Sequence, residues 1–447
     1  MPFVFYDTET TGTEAAFDQV LQFAAIRTDD LLNELERFEV RCRIAPHIVP
    51  SPGALAINRI SSDRLNDPKL PSWYQANCAI HAKLRAWSPS IFIGYNSLAF
   101  DEGFLRQGFY QNLLPTYLTN TGGNSRADVL TMTQAAMLAL PGILVIPTDE
   151  KGKPRLKLDM VAPANGFNSH NAHDALGDVE ATIHIARLLR SRGPALWQAM
   201  MNLSRKPSVI SFSNIHPVFL LGEASGASGS LKPVTRIGPR ADYDSEFAVL
   251  DLRNDPEPLL GLDEGELVKV LTKPRSPIRT VRANAQPIAL PLGLAPQTMG
   301  VLDEPLLSSR AATVQKNDSF RVRVGRAMVA RYADRPESTH IEQRIYAGFP
   351  SQADETRMRQ FHAAPWPQRH AIAQAIEDER YREFGLRIIH AEVPDALPLS
   401  ERVRLDSWRR ARIEGSIPDG EWLTKAAALG QVAEADDGSL RSWLLTL

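Results

Sequence analysis

The run Phe3-Val4-Phe5-Tyr6-Asp7-Thr8-Glu9-Thr10-Thr11-Gly12 decides the fold. Its first four residues are β-branched or aromatic, the composition of a buried strand. Residues two apart along a strand share a face, so Asp7 and Glu9 present two carboxylates side by side. Like charges held that close repel unless a proton or a cation sits between them. A hard divalent cation suits carboxylate oxygens. On its own, a D-x-E pair at a strand end reads equally well as a solvated turn. Partners elsewhere in the chain decide between the two.

Working outward, Val20–Arg27 is a second apolar strand, and Phe38–Ile44 alternates with period two as a half-exposed third. Short turns between them predict an antiparallel meander. Pro50–Gly53 breaks the pattern, and the stretch to Trp87 reads as mainly helical. Ser90–Asn96 is another buried strand, running through Ser97–Asp101 into a helix. Residues 128–140 read as a helix ended by Pro141-Gly142, followed by the basic loop Lys151-Gly152-Lys153-Pro154-Arg155 and a helix around Leu158–Ala164. Ala175, Val179, Ile183 and Ala186 lie at helical spacing. These elements form an α/β domain over residues 1–200.

Arg205-Lys206-Pro207 reads as a linker, and the texture then changes. Val209–Phe212, Val218–Leu221, Phe247–Leu252, Val268–Leu271 and Ile278–Arg282 are short strand-like runs separated by Gly, Ser and Pro, notably across Gly222–Gly229. They predict a β-rich domain over 201–350, with a small barrel. Helical periodicity returns from about Ala311, and residues 351–447 are expected to be a helical domain.

The first carboxylates acquire partners. Asp101 follows a strand by a few residues, where open-sheet sites gather, although an Asp there also reads as a helix N-cap. His173 and Asp178 form H-x-x-x-x-D at a helix start, where Asp178 alone would only complement the helix N-terminus. D-x-E, then Asp101, then H-x4-D in that order within one domain is a combination, and it favours a functional reading.

The ordered set resembles the histidine-containing (DEDDh) branch of the DEDD exonuclease superfamily. Phe23–Asp29, Gly94–Ser97, Asn124–Arg126 and Ser169–Ala175 resemble the exodeoxyribonuclease I family in particular. Ala248–Leu252 and Ile345–Phe349 resemble segments of that family's later domains. The resemblance implies an RNase H-like mixed-sheet nuclease domain, an SH3-like β-barrel-containing domain and a C-terminal helical domain. It implies a 3′→5′ exonuclease that degrades single-stranded DNA to 5′-mononucleotides, in DNA repair and recombination. The cofactor would be two Mg²⁺ ions, with Mn²⁺ as a substitute.

In that scheme Asp7 bridges both metals, Glu9 and Asp178 complete one shell, Asp101 serves the other, and His173 takes the proton from the attacking water. Thr10, Thr11 and Gly12 are expected at the terminal nucleotide, although a tight turn needing Gly12 is the plainer reading. Asn96 has both a substrate and a turn reading. Arg126 and Lys157 are expected at the strand, with Lys151, Lys153 and Arg155. Lys273–Arg282, Arg321–Arg331 and Trp408–Arg412 are further basic candidates. The family also implies docking of the C-terminal tail of single-strand DNA-binding protein. The rival readings are a DEDDh exoribonuclease and a catalytically idle single-strand-binding or repair scaffold.

Composition bounds these readings. The 447 residues allow two or three domains, and 43% hydrophobic with 23% charged residues is ordinary for a soluble protein. A net charge of -2 leaves nucleic-acid binding to local basic patches. Cys42 and Cys78 are far apart and in no ligand spacing, which excludes a disulfide framework and fits a reducing cytoplasm. The chain opens directly on a strand without a signal-like leader, and no apolar run approaches a membrane span. A cytoplasmic monomer with no membrane partner is expected.

Overall fold

The computed structural model describes residues 1–168, 174–225, 228–331, 338–432 and 438–447. The N-terminal half is built on a mixed five-stranded sheet: β1 (Phe3–Thr10), β2 (Val20–Thr28), β3 (Glu34–Arg41), β4 (Ile91–Gly94) and β5 (Ser125–Asp128), in the order β3-β2-β1-β4-β5. β1 to β3 form the expected antiparallel meander, while β4 and β5 join in parallel through helical crossovers. β1 is therefore central and buried on both faces, as its continuous apolar start requires. The helix Ala175–Arg192 lies across β1 and β2, burying Ala175, Val179, Ile183 and Ala186. The periodicity read from the sequence is thus the buried stripe.

The second unit carries the antiparallel strands β6 (Phe219–Ser225), β7 (Ser228–Arg240), β8 (Tyr243–Asp251), β9 (Ile278–Arg282) and β10 (Ala289–Leu290), in the order β10-β6-β7-β8-β9. Two runs expected as strands are helices. Val209–Phe212 lies in the helix Lys206–Ile215, started by a proline in its first turn, so the supposed linker is helical. Val268–Leu271 lies in the helix Glu264–Thr272, which a capping box between Asp263 and Glu266 initiates. A short apolar run has no period of its own, and the caps decide it. The separator expected across Gly222–Gly229 is mostly paired strand, with Gly222 opposite Leu231 and Ser225 opposite Ser228.

Helices Glu304–Gln315 and Asp318–Ala330 pack Leu307, Val314, Phe320 and Val324 onto this sheet. Ile341 and Ile345 instead join Phe361, Phe384, Ile389 and Leu405 in the core of the C-terminal helices. Tyr74, Tyr110 and Leu113 of the N-terminal half belong to that same core, so the C-terminal unit is seated on the helix Asp101–Gln111. Among the described residues no helix is long and apolar enough to cross a membrane.

Candidate active site

The end of β1 and the first turn of the helix Ala175–Arg192 meet. Carboxylate oxygens of Asp7, Glu9 and Asp178 all lie within 4.8 Å of one another. Asp7 and Glu9 come together through the strand's period of two, and Asp178 through its place in the first helical turn. Asp174 fixes that helix start from outside the cluster. It accepts from Arg41 Nη2 at 2.6 Å and from Gln22 Nε2 at 3.4 Å, both on the meander.

Asp101 is the fourth carboxylate, 3% exposed. It is the first residue of the helix Asp101–Gln111 and not its N-cap, the cap position being Phe100. Its Oδ1 accepts from the Thr8 hydroxyl at 2.5 Å, which ties it to β1 between the two strand carboxylates. Burial, then the charges of Asp101, Asp178 and Glu9, raises the Asp7 carboxyl well above its ordinary range. Burial, then Asp178 and Asp101, pushes Glu9 up to about 8. Burial pushes Asp101 up to about 7 against the Thr8 hydrogen bond. Crowded, desolvated carboxylates of this kind are the donor set of a hard divalent cation, which relieves the repulsion the fold has built in. The residues therefore fit a metal centre of three carboxylates with a fourth alongside.

The nuclease domain has a matching family described as Exonuclease, over residues 4–186, and the C-terminal helices match the Exonuclease I C-terminal domain over residues 339–437. Exodeoxyribonuclease I of Escherichia coli K12 is 29% identical over 382 residues, 80% of this chain and 78% of that protein. The crystal structure of E. coli exonuclease I in complex with a dA16 oligonucleotide superposes with a TM-score of 0.85 at 25% identity, covering 99% of this chain and 97% of that one. A structure of SSB/exonuclease I in complex with the inhibitor CFAM does so at 0.82 and 26% identity, with 99% and 97% covered. The chain thus carries an exonuclease domain followed by an exonuclease I C-terminal domain.

Asp7, Glu9, Asp101 and Asp178 all lie inside the matched exonuclease segment. His173 lies outside the described residues. Thr10 and Thr11 are buried, and their hydroxyls are used within the turn. Thr10 Oγ1 donates to the Gly12 carbonyl at 2.7 Å and Thr11 Oγ1 to Asp18 Oδ1 at 2.8 Å. A Cβ on Gly12 would stand 2.3 Å from Asp18 Oδ2, so glycine is required by close approach. Asn96 has φ +64°, and its N–H donates to Asp128 Oδ1 at 2.9 Å, while its side chain is exposed.

Lys157 is exposed and lines an open groove with Lys151, Lys153 and Arg155. Arg126 stands elsewhere. It is 9% exposed, and its guanidinium donates to Glu102 Oε1 at 2.9 Å and to the Asn284 carbonyl at 3.1 Å. Other basic candidates are fasteners. Arg321 Nε donates to the Ile237 carbonyl at 2.7 Å, and Arg323 bonds the Leu260 and Leu262 carbonyls. Arg412 is buried against Glu342, and Arg387 stacks on Trp408. Long guanidinium chains make such anchors at domain contacts, so charge alone overstates the strand-binding surface.

Three residues that the motifs do not reveal support the site. Glu102 accepts from Tyr6, Arg106, Thr119 and Arg126, and so braces the residues beside Asp7 and Asp101. Thr8 fixes Asp101. Asp128 accepts the N–H groups of Asn96, Leu98 and Leu130, so it both caps a helix and shapes the loop ahead of Asp101. Only Asp128 has a sequence signal, an Asp directly before an apolar helical run. An exposed aromatic group also gathers where the three units meet. Phe349 is 80% and Tyr346 70% exposed, and the Phe349 ring lies 5.5 Å from that of Tyr117. Burial, and then the nearby Tyr346, raises the Tyr117 hydroxyl above its ordinary pKa.

Proposed function

We propose that this protein is a divalent-metal-dependent 3′→5′ exonuclease that releases 5′-mononucleotides from single-stranded DNA. The observation that carries the reading is the convergence of Asp7, Glu9 and Asp178 within 4.8 Å, with Asp101 tethered beside them. Asp7 and Asp101 would hold one cation and Asp7, Glu9 and Asp178 the other, with Asp7 bridging. Two Mg²⁺ ions suit this all-carboxylate set, and Mn²⁺ would replace them. When bound, such ions lower the pKa of water, neutralise phosphate charge and stabilise the departing 3′ oxygen.

The chain's own residues then have separable duties. His173 takes a proton from the attacking water, a task suited to an imidazole that titrates near neutral pH. The turn Thr10–Gly12, stiffened by Asp18, forms the wall met by the terminal nucleotide. Asn96 reaches the same nucleotide with its exposed side chain. Lys157 and its basic neighbours follow the phosphates, and Tyr117, Tyr346 and Phe349 offer faces on which unpaired bases stack. Arg126 serves the strand indirectly, through Glu102. The C-terminal tail of single-strand DNA-binding protein is the proposed protein partner, and the protein acts as a cytoplasmic monomer.

The E. coli relative solved with dA16 supports single-stranded DNA over RNA as the substrate. The presence of all four carboxylates argues against an idle scaffold. The test offers 5′-blocked and 3′-blocked single-stranded DNA, duplex DNA and RNA with Mg²⁺. The 5′-blocked single strand should shorten to mononucleotides while the 3′-blocked one persists. Preferential loss of RNA, or survival of the 5′-blocked strand, would reject the proposal.

A further inference from the structure

β5 is the edge of the nuclease sheet, and its outward donors need partners that no strand supplies. They find them outside the nuclease fold. Arg126 N–H donates to the Ser204 carbonyl at 3.3 Å, and Asp128 N–H donates to Gln286 Oε1 at 2.7 Å. Gln286 belongs to the β-rich unit, on the loop between β9 and β10. It is 2% exposed and spends its other amide end on the Met200 carbonyl, with Nε2 donating at 3.0 Å. Its φ of +45° is a conformation few non-glycine residues adopt, so the surrounding contacts must hold it there.

Two residues earlier on the same loop, the Asn284 carbonyl accepts from Arg126 Nη2 at 3.1 Å. The loop therefore grips β5 at Arg126 and at Asp128. Each of these reaches one side of Asp101. The Asp128 carboxylate takes the N–H groups of Asn96 and Leu98 at 2.9 and 3.0 Å, fixing the loop before it. Arg126 Nη1 pairs with Glu102 at 2.9 Å, fixing the residue after it. Between those supports the Asp101 carboxylate accepts from the Thr8 hydroxyl.

We propose that Gln286 is a positioning residue for Asp101, and that the loop Asn284–Gln286 makes the β-rich unit part of the metal centre. The proposal rests on the reading of that centre given above. On the same loop, Asn284 Nδ2 lies 3.5 Å from the hydroxyl of the half-exposed Tyr243.

Gln286→Met keeps the volume and removes the acceptor for Asp128. Mn²⁺ binding to the full-length protein without DNA, followed by calorimetry or electron paramagnetic resonance, is the first readout. Steady-state hydrolysis of single-stranded DNA is the second. Partners that orient metal ligands typically matter by about 10-fold or more, so Mn²⁺ affinity or kcat should fall about 10-fold. KM for the strand should stay within about twofold. If Gln286→Met does not fold, Arg126→Lys carries the same test, since it keeps charge against Glu102 and loses the limb that reaches Asn284. A folded variant with unchanged Mn²⁺ affinity and kcat, or one impaired only in KM, overturns the inference. Absence of Mn²⁺ binding in the unaltered protein would instead overturn the metal-centre reading.

Discussion

Asp7 is where repulsion is concentrated, because its carboxyl feels Asp101, Asp178 and Glu9 together. Asp7→Asn keeps the shape and removes a shared charge. Activity should fall by about 10³-fold or more, since an anionic ligand common to both cation positions is lost. Steady-state rates over a Mg²⁺ titration check this, and recovery at high Mg²⁺ would contradict it. Burial, joined at Glu9 by the neighbouring carboxylates, sets a pH dependence. Glu9 rises from 4.5 to about 8 and Asp101 from 3.8 to about 7 on folding. The folded, metal-free protein therefore holds protons that the unfolded chain has lost. Its stability should decline as pH rises from about 4 and level off above about 8. Saturating divalent metal should flatten that decline, as thermal unfolding at pH 5.5 and 8.5 with and without Mg²⁺ would show. Asp7, Glu9 and Asp178 are legible in sequence because strand and helix periods place them. Glu102 is not, because its partners Tyr6, Thr119 and Arg126 are brought to it only by the tertiary fold.

At the level of elements, the turn after β1 shows how local chemistry fixes a site wall. Asp18 accepts from Thr11 and from the Glu14 N–H at 3.0 Å, and Gly12 lies against its carboxylate. Gly12→Ala must push Asp18 aside and should cost about 1–3 kcal/mol. Because Glu9 lies three residues upstream, kcat should fall with it, and unfolding and turnover measured on one preparation would check both. The meander, β4 and the helix Ala175–Arg192 could be read from hydrophobic period alone. Residues 209–212 and 268–271 could not, since a four-residue run with three apolar residues fits either period, and Pro207 and the Asp263–Glu266 cap decide for helix. β5 escaped because it is four residues long and ends in the Asp128 cap.

Across the whole molecule the C-terminal unit is fastened to the nuclease half by buried charge. Arg412 reaches the His47 carbonyl at 3.1 Å and the Phe17 carbonyl at 3.4 Å, pairs with Glu342 at 2.9 Å and lies 4.6 Å from the Trp422 ring centroid. Burial pushes its pKa down to about 10. Against their shared burial, Arg387 and Arg412 keep Glu342 below its usual range. Arg412→Met leaves Glu342 with Arg387 alone and should cost about 3 kcal/mol. Denaturant unfolding checks this, and an unchanged midpoint would assign the docking to the apolar core around Tyr110 and Phe384. In sequence the Trp408–Arg412 run is one basic candidate for the strand among several, because composition does not distinguish a basic face from a basic anchor.

The carboxylates at the end of β1, with Asp178, are proposed to hold the metal that cuts DNA. The most direct measurement is anomalous diffraction from crystals of the protein soaked in Mn²⁺. A peak ligated by Asp7, Glu9 and Asp178 is expected, lost in crystals of Asp7→Asn. A Mn²⁺ peak elsewhere with none at these residues, or one that survives Asp7→Asn unchanged, would contradict it.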